Sequence, residues 1–347
     1  MLQKIDLKRA AIIIGGLFIV SFSYYVFQIF RTPNLSTDTK DGYYLKIPSN
    51  SANYATVLDS LKKNHIINDE ISFRFLAKLL KYPQNVKAGR YFISKDMGNY
   101  AAIQMLKEGK QKPVKLTFNN VRLKEDLVRK VGAKFEFDST SLSKLLDSTQ
   151  ICDKYGFTKE TIMCMFLPNT YEVFWNTDAN KLLNRMKFEY DNFWTDARKQ
   201  KAQEIGFTPI QVAILASIVE EETKINEEKP RVAGLYINRL NTQMPLQADP
   251  TVKFALKNFA IKRILNFQLQ TNSPYNTYKF TGLPPGPIRL AELSSIEAVL
   301  NYEKHNYTYM CANPALNGTH IFAENYQDHL NNAKLYQAAL NKLNIKK

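Results

Sequence analysis

Apolar positions along this chain change period several times, and each change predicts an element. Residues 10–30 form an uncharged run interrupted only by Ser21, Ser23 and Gln28. Tyr43–Ile47 alternates with period 2 and predicts a strand, whereas 54–63 and 71–81 carry helical spacing. Residues 88–93 alternate again as a returning strand, and a helix over 100–108 ends at Gly109. Val114–Phe118 starts another strand, with helical segments to about residue 150. The pattern then lengthens into helices, notably 209–223 and 228–240. Residues 270–290 are rich in Pro, Gly and Tyr and read as loop. Two short alternating runs, 308–312 and 319–323, flank Asn313–Gly318 as a hairpin, and a helix from about Tyr326 closes the chain.

The first apolar run has the roughly 20 residues that a membrane-crossing helix needs. Lys4, Lys8 and Arg9 precede it, so the positive-inside tendency leaves the N-terminus in the cytoplasm. Its exit, Val26 to Arg31, is bulky and lacks a small-x-small cleavage site, which identifies an uncleaved signal anchor in the inner (cytoplasmic) membrane. The expected order is a cytoplasmic tail (1–9), the anchor (10–30), a polar linker (31–42), a βααβ unit (43–112) and a larger exported domain (113–347). The roughly 310 residues beyond the anchor exceed one comfortable core, which supports two domains.

Formal net charge is +15, without a Lys/Arg tract. On an exported protein this suits anionic envelope surfaces, lipid headgroups or wall polymers, rather than nucleic acid. Cys152, Cys164 and Cys311 cannot all pair with one another. Cys152 and Cys164 are near enough in sequence to bridge, but all three read as small buried apolar residues. His65, His305, His320 and His329 show no metal-ligand spacing, so neither a metal nor a cofactor is expected.

The chemistry concentrates in 209–223. Thr208 can cap this helix and Pro209 suits its first turn. It is apolar almost all round, as a buried helix is, yet ends in Glu220, Glu221 and Glu222, where the macrodipole disfavours anions. Burial and an adverse dipole both raise a carboxyl pKa, as a general acid working near neutrality requires. Glu222 extends the bulky stripe of Leu215, Ile218 and Val219, and Glu220 lies by the small residues Ala213, Ala216 and Ser217. Spacing thus favours Glu222 or Glu220 over Glu221 and does not choose between them.

Two resemblances follow. The βααβ unit, with its turn Lys87-Ala88-Gly89-Arg90-Tyr91, is similar to the LysM glycan-binding fold. The segments Ala216–Thr223, Val232–Leu240, Met244–Val252, Tyr275–Tyr278, Gly282–Ile288 and Gly318–Phe322 resemble, in order and spacing, the MltG (YceG-like) endolytic murein transglycosylases. The likeness covers nearly the whole chain. It implies an α+β protein: a single transmembrane helix, a LysM-like subdomain, then a mixed catalytic domain whose buried helix carries the catalytic glutamate. That family cuts the MurNAc–GlcNAc bond within peptidoglycan strands without water and leaves 1,6-anhydro-MurNAc ends, terminating glycan elongation beside the peptidoglycan synthases. The alternatives are a non-catalytic peptidoglycan-binding scaffold and a water-using muramidase.

Carried onto this sequence, the family's acid falls on Glu222. Glu221, unusual for the motif, should push that pKa further up by like-charge repulsion unless solvent screens it. Asn238 and Arg239 could hydrogen-bond a sugar or hold Glu222, with Arg239 alternatively complementing its helix dipole. Gln247 is a sugar contact. Asp249 is an N-cap before Pro250 or a second acid. Tyr275, Asn276, Thr277 and Tyr278 offer ring faces and amides to a glycan, with buried aromatic packing the alternative for both tyrosines. Glu220 joins the substrate site, and His320 orients substrate or Glu220 or else makes a structural hydrogen bond.

Overall fold

The structure, a computed structural model, describes residues 7–37 and 42–342. The first part of the expected tail, the end of the linker and the last five residues lie outside the described residues. Two compact units divide the chain. The first runs to Lys115 and takes in Lys134–Phe137 and Glu172–Thr177; the second holds the rest from Leu116 onward. Those two short returns into the first unit fall within what the apolar pattern assigned to the larger domain.

The first unit opens with helix α1 (Leu7–Arg31), whose apolar stretch Lys8–Phe30 is long enough to cross a membrane. Strand β1 (Pro33–Leu35) follows, then β2 (Tyr43–Ile47), α2 (Tyr54–Lys63), α3 (Glu70–Leu79), β3 (Gly89–Ile93), β4 (Met97–Gly98) and α4 (Asn99–Glu108); β5 (Val114–Thr117) begins in this unit and ends in the second. The βααβ order is the expected one. Strands β2 and β3 are antiparallel, Leu45 opposite Tyr91, so Leu45, Ile47, Tyr91 and Ile93 share the buried face with Leu61, Phe73, Leu76 and Leu106. Asn53 and Asp69 cap α2 and α3, and Gly109 ends α4 in the left-handed region.

The segment read as a polar linker is partly built into this unit. β1 pairs with β4, Leu35 is fully buried, and the Asn34 amide bonds Asn99 Oδ1 and the Asp69 carbonyl, both at 2.7 Å. One leucine among polar residues has no period to detect, and its partner strand is two residues long.

The second unit is mainly helical: α5 (Lys124–Gly132), α6 (Ser139–Leu146), α7 (Thr149–Tyr155), α8 (Ala179–Phe193), α9 (Asp196–Ile205), α10 (Pro209–Glu222), α11 (Lys229–Asn241), α12 (Asp249–Ala255), α13 (Leu293–Leu300) and α14 (Tyr326–Lys342), with the hairpin β7 (Tyr309–Ala312) and β8 (His320–Ala323); β6 (Thr170–Val173) begins in it and ends in the first unit. Helix α10 is its axis. It packs on α11, α12 and α13 and buries every residue from Val212 to Glu220. Thr208 and Gln211 form a reciprocal capping box at its start. On α11, Gly234 admits the chain at close range: a Cβ there would lie 2.3 Å from the Glu303 carbonyl oxygen.

Candidate active site

Successive residues of a helix point about 100° apart, so the three adjacent glutamates of α10 leave it in three directions. Glu220 is buried, 5% exposed, and ion-paired inside the unit. Lys229 Nζ lies 2.9 Å from its Oε2, and the Ser295 hydroxyl donates to the same oxygen. Glu221 lies between two guanidiniums, with Arg122 at 2.9 and 3.0 Å and Arg289 at 2.6 Å. Burial opposes its ionisation, but these hydrogen bonds and charges hold its carboxyl below the usual range.

Glu222 faces a cavity of about 220 Å³, whose wall includes Tyr236, Gln247, Asp249, Tyr278, Cys311 and His320; Glu221 borders a separate, smaller one of about 90 Å³ together with its partner Arg122. Burial pushes its carboxyl up to about 7. A hydrogen bond from the Tyr236 hydroxyl to Oε1, 2.8 Å long, opposes this by favouring the carboxylate, as does the His320 charge; Asp249 reinforces it. The expected repulsion from Glu221 is replaced by repulsion from Asp249, because two arginines neutralise Glu221.

The sequence-predicted residues divide into those that meet the cavity and those that support it. Gln247 meets it from a left-handed backbone (φ 51°) that non-glycine residues seldom adopt. Its N–H bonds the Thr277 carbonyl at 3.0 Å, and the Thr277 hydroxyl, itself buried, accepts from Ala248 N–H at 3.0 Å. Asp249 is the first residue of α12 rather than its cap; Ala248 holds the cap position and offers no side chain. The Asp249 carboxylate instead accepts from the Tyr278 hydroxyl at 2.6 Å. Asn276 is fully buried, donates to the Leu269 and Thr271 carbonyls, and accepts from Tyr278 N–H. Tyr275 packs against Phe254 with tilted rings whose centroids are 4.7 Å apart. Of that four-residue segment only Tyr278 lines the cavity, and the other three hold it in place.

Arg239 also lines the cavity but is no exposed dipole partner. It is buried and donates to the carbonyls of Thr308, at 2.6 Å, and Leu246, at 2.7 Å, tying β7 and the Gln247 loop to α11. Asn238 donates to the His305 and Tyr307 carbonyls and does not reach the cavity. His320 pairs with Glu228, not Glu220: Nδ1 lies 3.0 Å from Oε2, and its backbone N–H is 2.6 Å from Oε1. A carboxylate only accepts, so Nδ1 carries the proton. Glu228 is pushed up by burial, yet these bonds bring it below the usual range.

Tyr236, Glu228 and the β7 residues were not anticipated. Tyr236 stands three residues before Arg239 and so shares its face of α11, which is the one sequence signal that could have found it. Cys152 and Cys164 are buried, as expected of small apolar residues; Cys311 is half-buried because β7 forms the cavity's edge.

A model of the YceG-like family matches residues 45–335. An endolytic murein transglycosylase of Bacillus subtilis (strain 168) is 30% identical over 340 residues, covering 93% of this chain and 90% of the relative. Another of that name from Streptococcus pneumoniae (strain R6) is 27% identical, over 88% of this chain and 61% of its own longer one. The crystal structure of a yceG-like protein from Listeria monocytogenes superposes with a TM-score of 0.55 at 26% identity, covering 84% of this chain and 99% of that one.

Proposed function

The chain belongs to the YceG-like family, and from that premise we propose an endolytic murein transglycosylase whose proton donor is Glu222. It cleaves the MurNAc–GlcNAc bond inside glycan strands and leaves 1,6-anhydro-MurNAc ends. The observation that carries the assignment of the acid is a carboxyl raised to about 7 on the wall of an open cavity, beside two adjacent glutamates already engaged by Lys229, Arg122 and Arg289.

One carboxyl suffices for this reaction. Protonated Glu222 gives its proton to the glycosidic oxygen as the C1–O bond breaks through an oxocarbenium-like state. The Tyr236 hydroxyl stabilises the carboxylate so formed. That carboxylate then takes the proton of the sugar's own O6–H as O6 bonds to C1, which regenerates the acid and consumes no water. An intramolecular nucleophile also gains from proximity. Gln247, Tyr278 and His320 are the side chains placed to touch the sugars.

Helix α1 anchors the protein in the inner membrane, with the N-terminus cytoplasmic and the chain beyond α1 outside, where nascent strands and their synthases lie. Asp249 gives a water-using muramidase its one supporting observation, since hydrolases of the usual type need two carboxyl groups. The masses of digested strands separate the two readings: a 1,6-anhydro end is one water lighter than a reducing end. Uncut strands with wild-type protein would refute both readings, and cutting by Glu222→Gln would refute the assigned acid.

A further inference from the structure

Helix α3 carries more apolar surface than its fold uses. Its core face is Ser72, Phe73, Leu76 and Ala77. A second stripe, Ile71, Phe75 and Leu79 at i, i+4 and i+8, is 75%, 54% and 58% exposed. Basic side chains edge it: Arg74 and Lys78 line an open cavity with Phe75, and Lys62 and Arg74 both reach Glu70.

The location of this stripe is informative. α1 packs against α3 and α4. A cavity of about 270 Å³ is walled by Tyr25 and Gln28 of α1, by Thr32 just past its end, by Asn68 and Asp69 just before α3, and by Ser72 in the first turn of α3. The first turn of α3 therefore stands level with the last two turns of α1, where about 30 Å of hydrocarbon gives way to headgroups. Ile71 adjoins Ser72 at that level. On α4, Tyr100 is 44% exposed and lies 6.0 Å, centroid to centroid, from Phe30 of α1, an aromatic at the depth that membrane interfaces favour.

We propose that α3 is a second membrane contact. Its Ile71–Phe75–Leu79 stripe lies in the headgroup–acyl boundary, with Arg74 and Lys78 on anionic lipid phosphates, and so sets the tilt of the first unit over the bilayer. This rests on reading α1 as a membrane anchor. A lipid surface fits better than a glycan because two of the three side chains are aliphatic and offer a sugar neither a ring face nor a hydrogen bond. The charge at the edge of the stripe complements anionic headgroups.

The test uses the full chain in vesicles of phosphatidylethanolamine and phosphatidylglycerol, with plain or brominated acyl chains. Tryptophan is introduced singly as Phe75→Trp or Leu79→Trp, with Phe22→Trp in α1 as the buried control and Phe188→Trp in α8 as the exposed one. Emission from Trp175 and Trp194 is subtracted using the parent protein. Bromine should lower the added emission about two-fold or more at positions 75, 79 and 22, and leave position 188 unchanged. Quenching at 75 and 79 should weaken when phosphatidylglycerol is replaced by a zwitterionic lipid, or in Arg74→Ala/Lys78→Ala. Unquenched reporters at 75 and 79 beside a quenched one at 22 would overturn the second contact while sparing the anchor. An unquenched reporter at 22 would overturn the anchor and this contact with it.

Discussion

Replacing Tyr236 with Phe deletes one hydroxyl, whose only hydrogen bond among the described residues is the 2.8 Å contact to Glu222. A hydrogen bond to a charged group contributes about 1.5–3 kcal/mol. The protonated acid keeps part of that interaction, so the difference between the two forms is about 1.4 kcal/mol, or about one pKa unit. The carboxyl, at about 7 in the parent protein, should rise correspondingly. The sign follows from the role: the donor works protonated, so activity is present below its pKa and lost as pH rises through it. In Tyr236→Phe the alkaline limb of kcat/KM should therefore move up by about one unit. The low-pH plateau should fall several-fold, because a weaker acid donates less readily and its carboxylate has lost a stabilising donor. The assay is release of anhydro-ended fragments from murein strands between pH 5 and 9. A variant that had merely lost packing would lose activity at every pH with the limb in place. An unmoved limb, or one displaced to lower pH, refutes the coupling of Tyr236 to the acid.

Glu222→Gln should abolish strand cutting while leaving folding and glycan binding intact, read by product mass and strand pull-down. It should also change how stability depends on pH. A carboxyl raised to about 7 when folded favours the native state below its unfolded pKa, near 4.5, and that contribution is lost as pH rises to 7. Discounted for partial exposure, the variant should gain about 1–2 kcal/mol on the parent between pH 4.5 and 8 in urea unfolding; a constant difference would deny the shift. Lys229→Met strands a buried Glu220 and should cost about 3–5 kcal/mol of stability. The folded fraction should nevertheless keep the parent pH–activity profile, so a moved profile would put Glu220 back in the site. Gly234→Ala should lower the melting temperature by several degrees, because the new methyl meets the Glu303 carbonyl; an unchanged melting temperature would show that this part of the chain yields freely.

Helix α10 shows which parts of the site were legible in the sequence. Its ends and its burial follow from Thr208, Pro209 and a run without a polar face, and those are local signals. The facing of each glutamate is also local in part: helical spacing set Glu221 apart from Glu220 and Glu222. What spacing cannot supply is the partner. Lys229 and Ser295 claim Glu220, Arg122 and Arg289 claim Glu221, and these come from three separate stretches of chain. The tie between Glu220 and Glu222 is therefore a tertiary question, and the likeness to a family supplied an answer that local physics could not. The same limit explains Asn276 and Thr277, whose polar side chains read as glycan contacts but bond the backbone of neighbouring loops. A polar residue in a loop looks alike from sequence whether it faces a ligand or carries the wall behind one. Only Tyr278, whose hydroxyl reaches Asp249 beside the acid, does both. Glu222 is thus set apart by elimination as the candidate acid: its neighbours in sequence are ion-paired, and it is left with one tyrosine and a cavity of about 220 Å³.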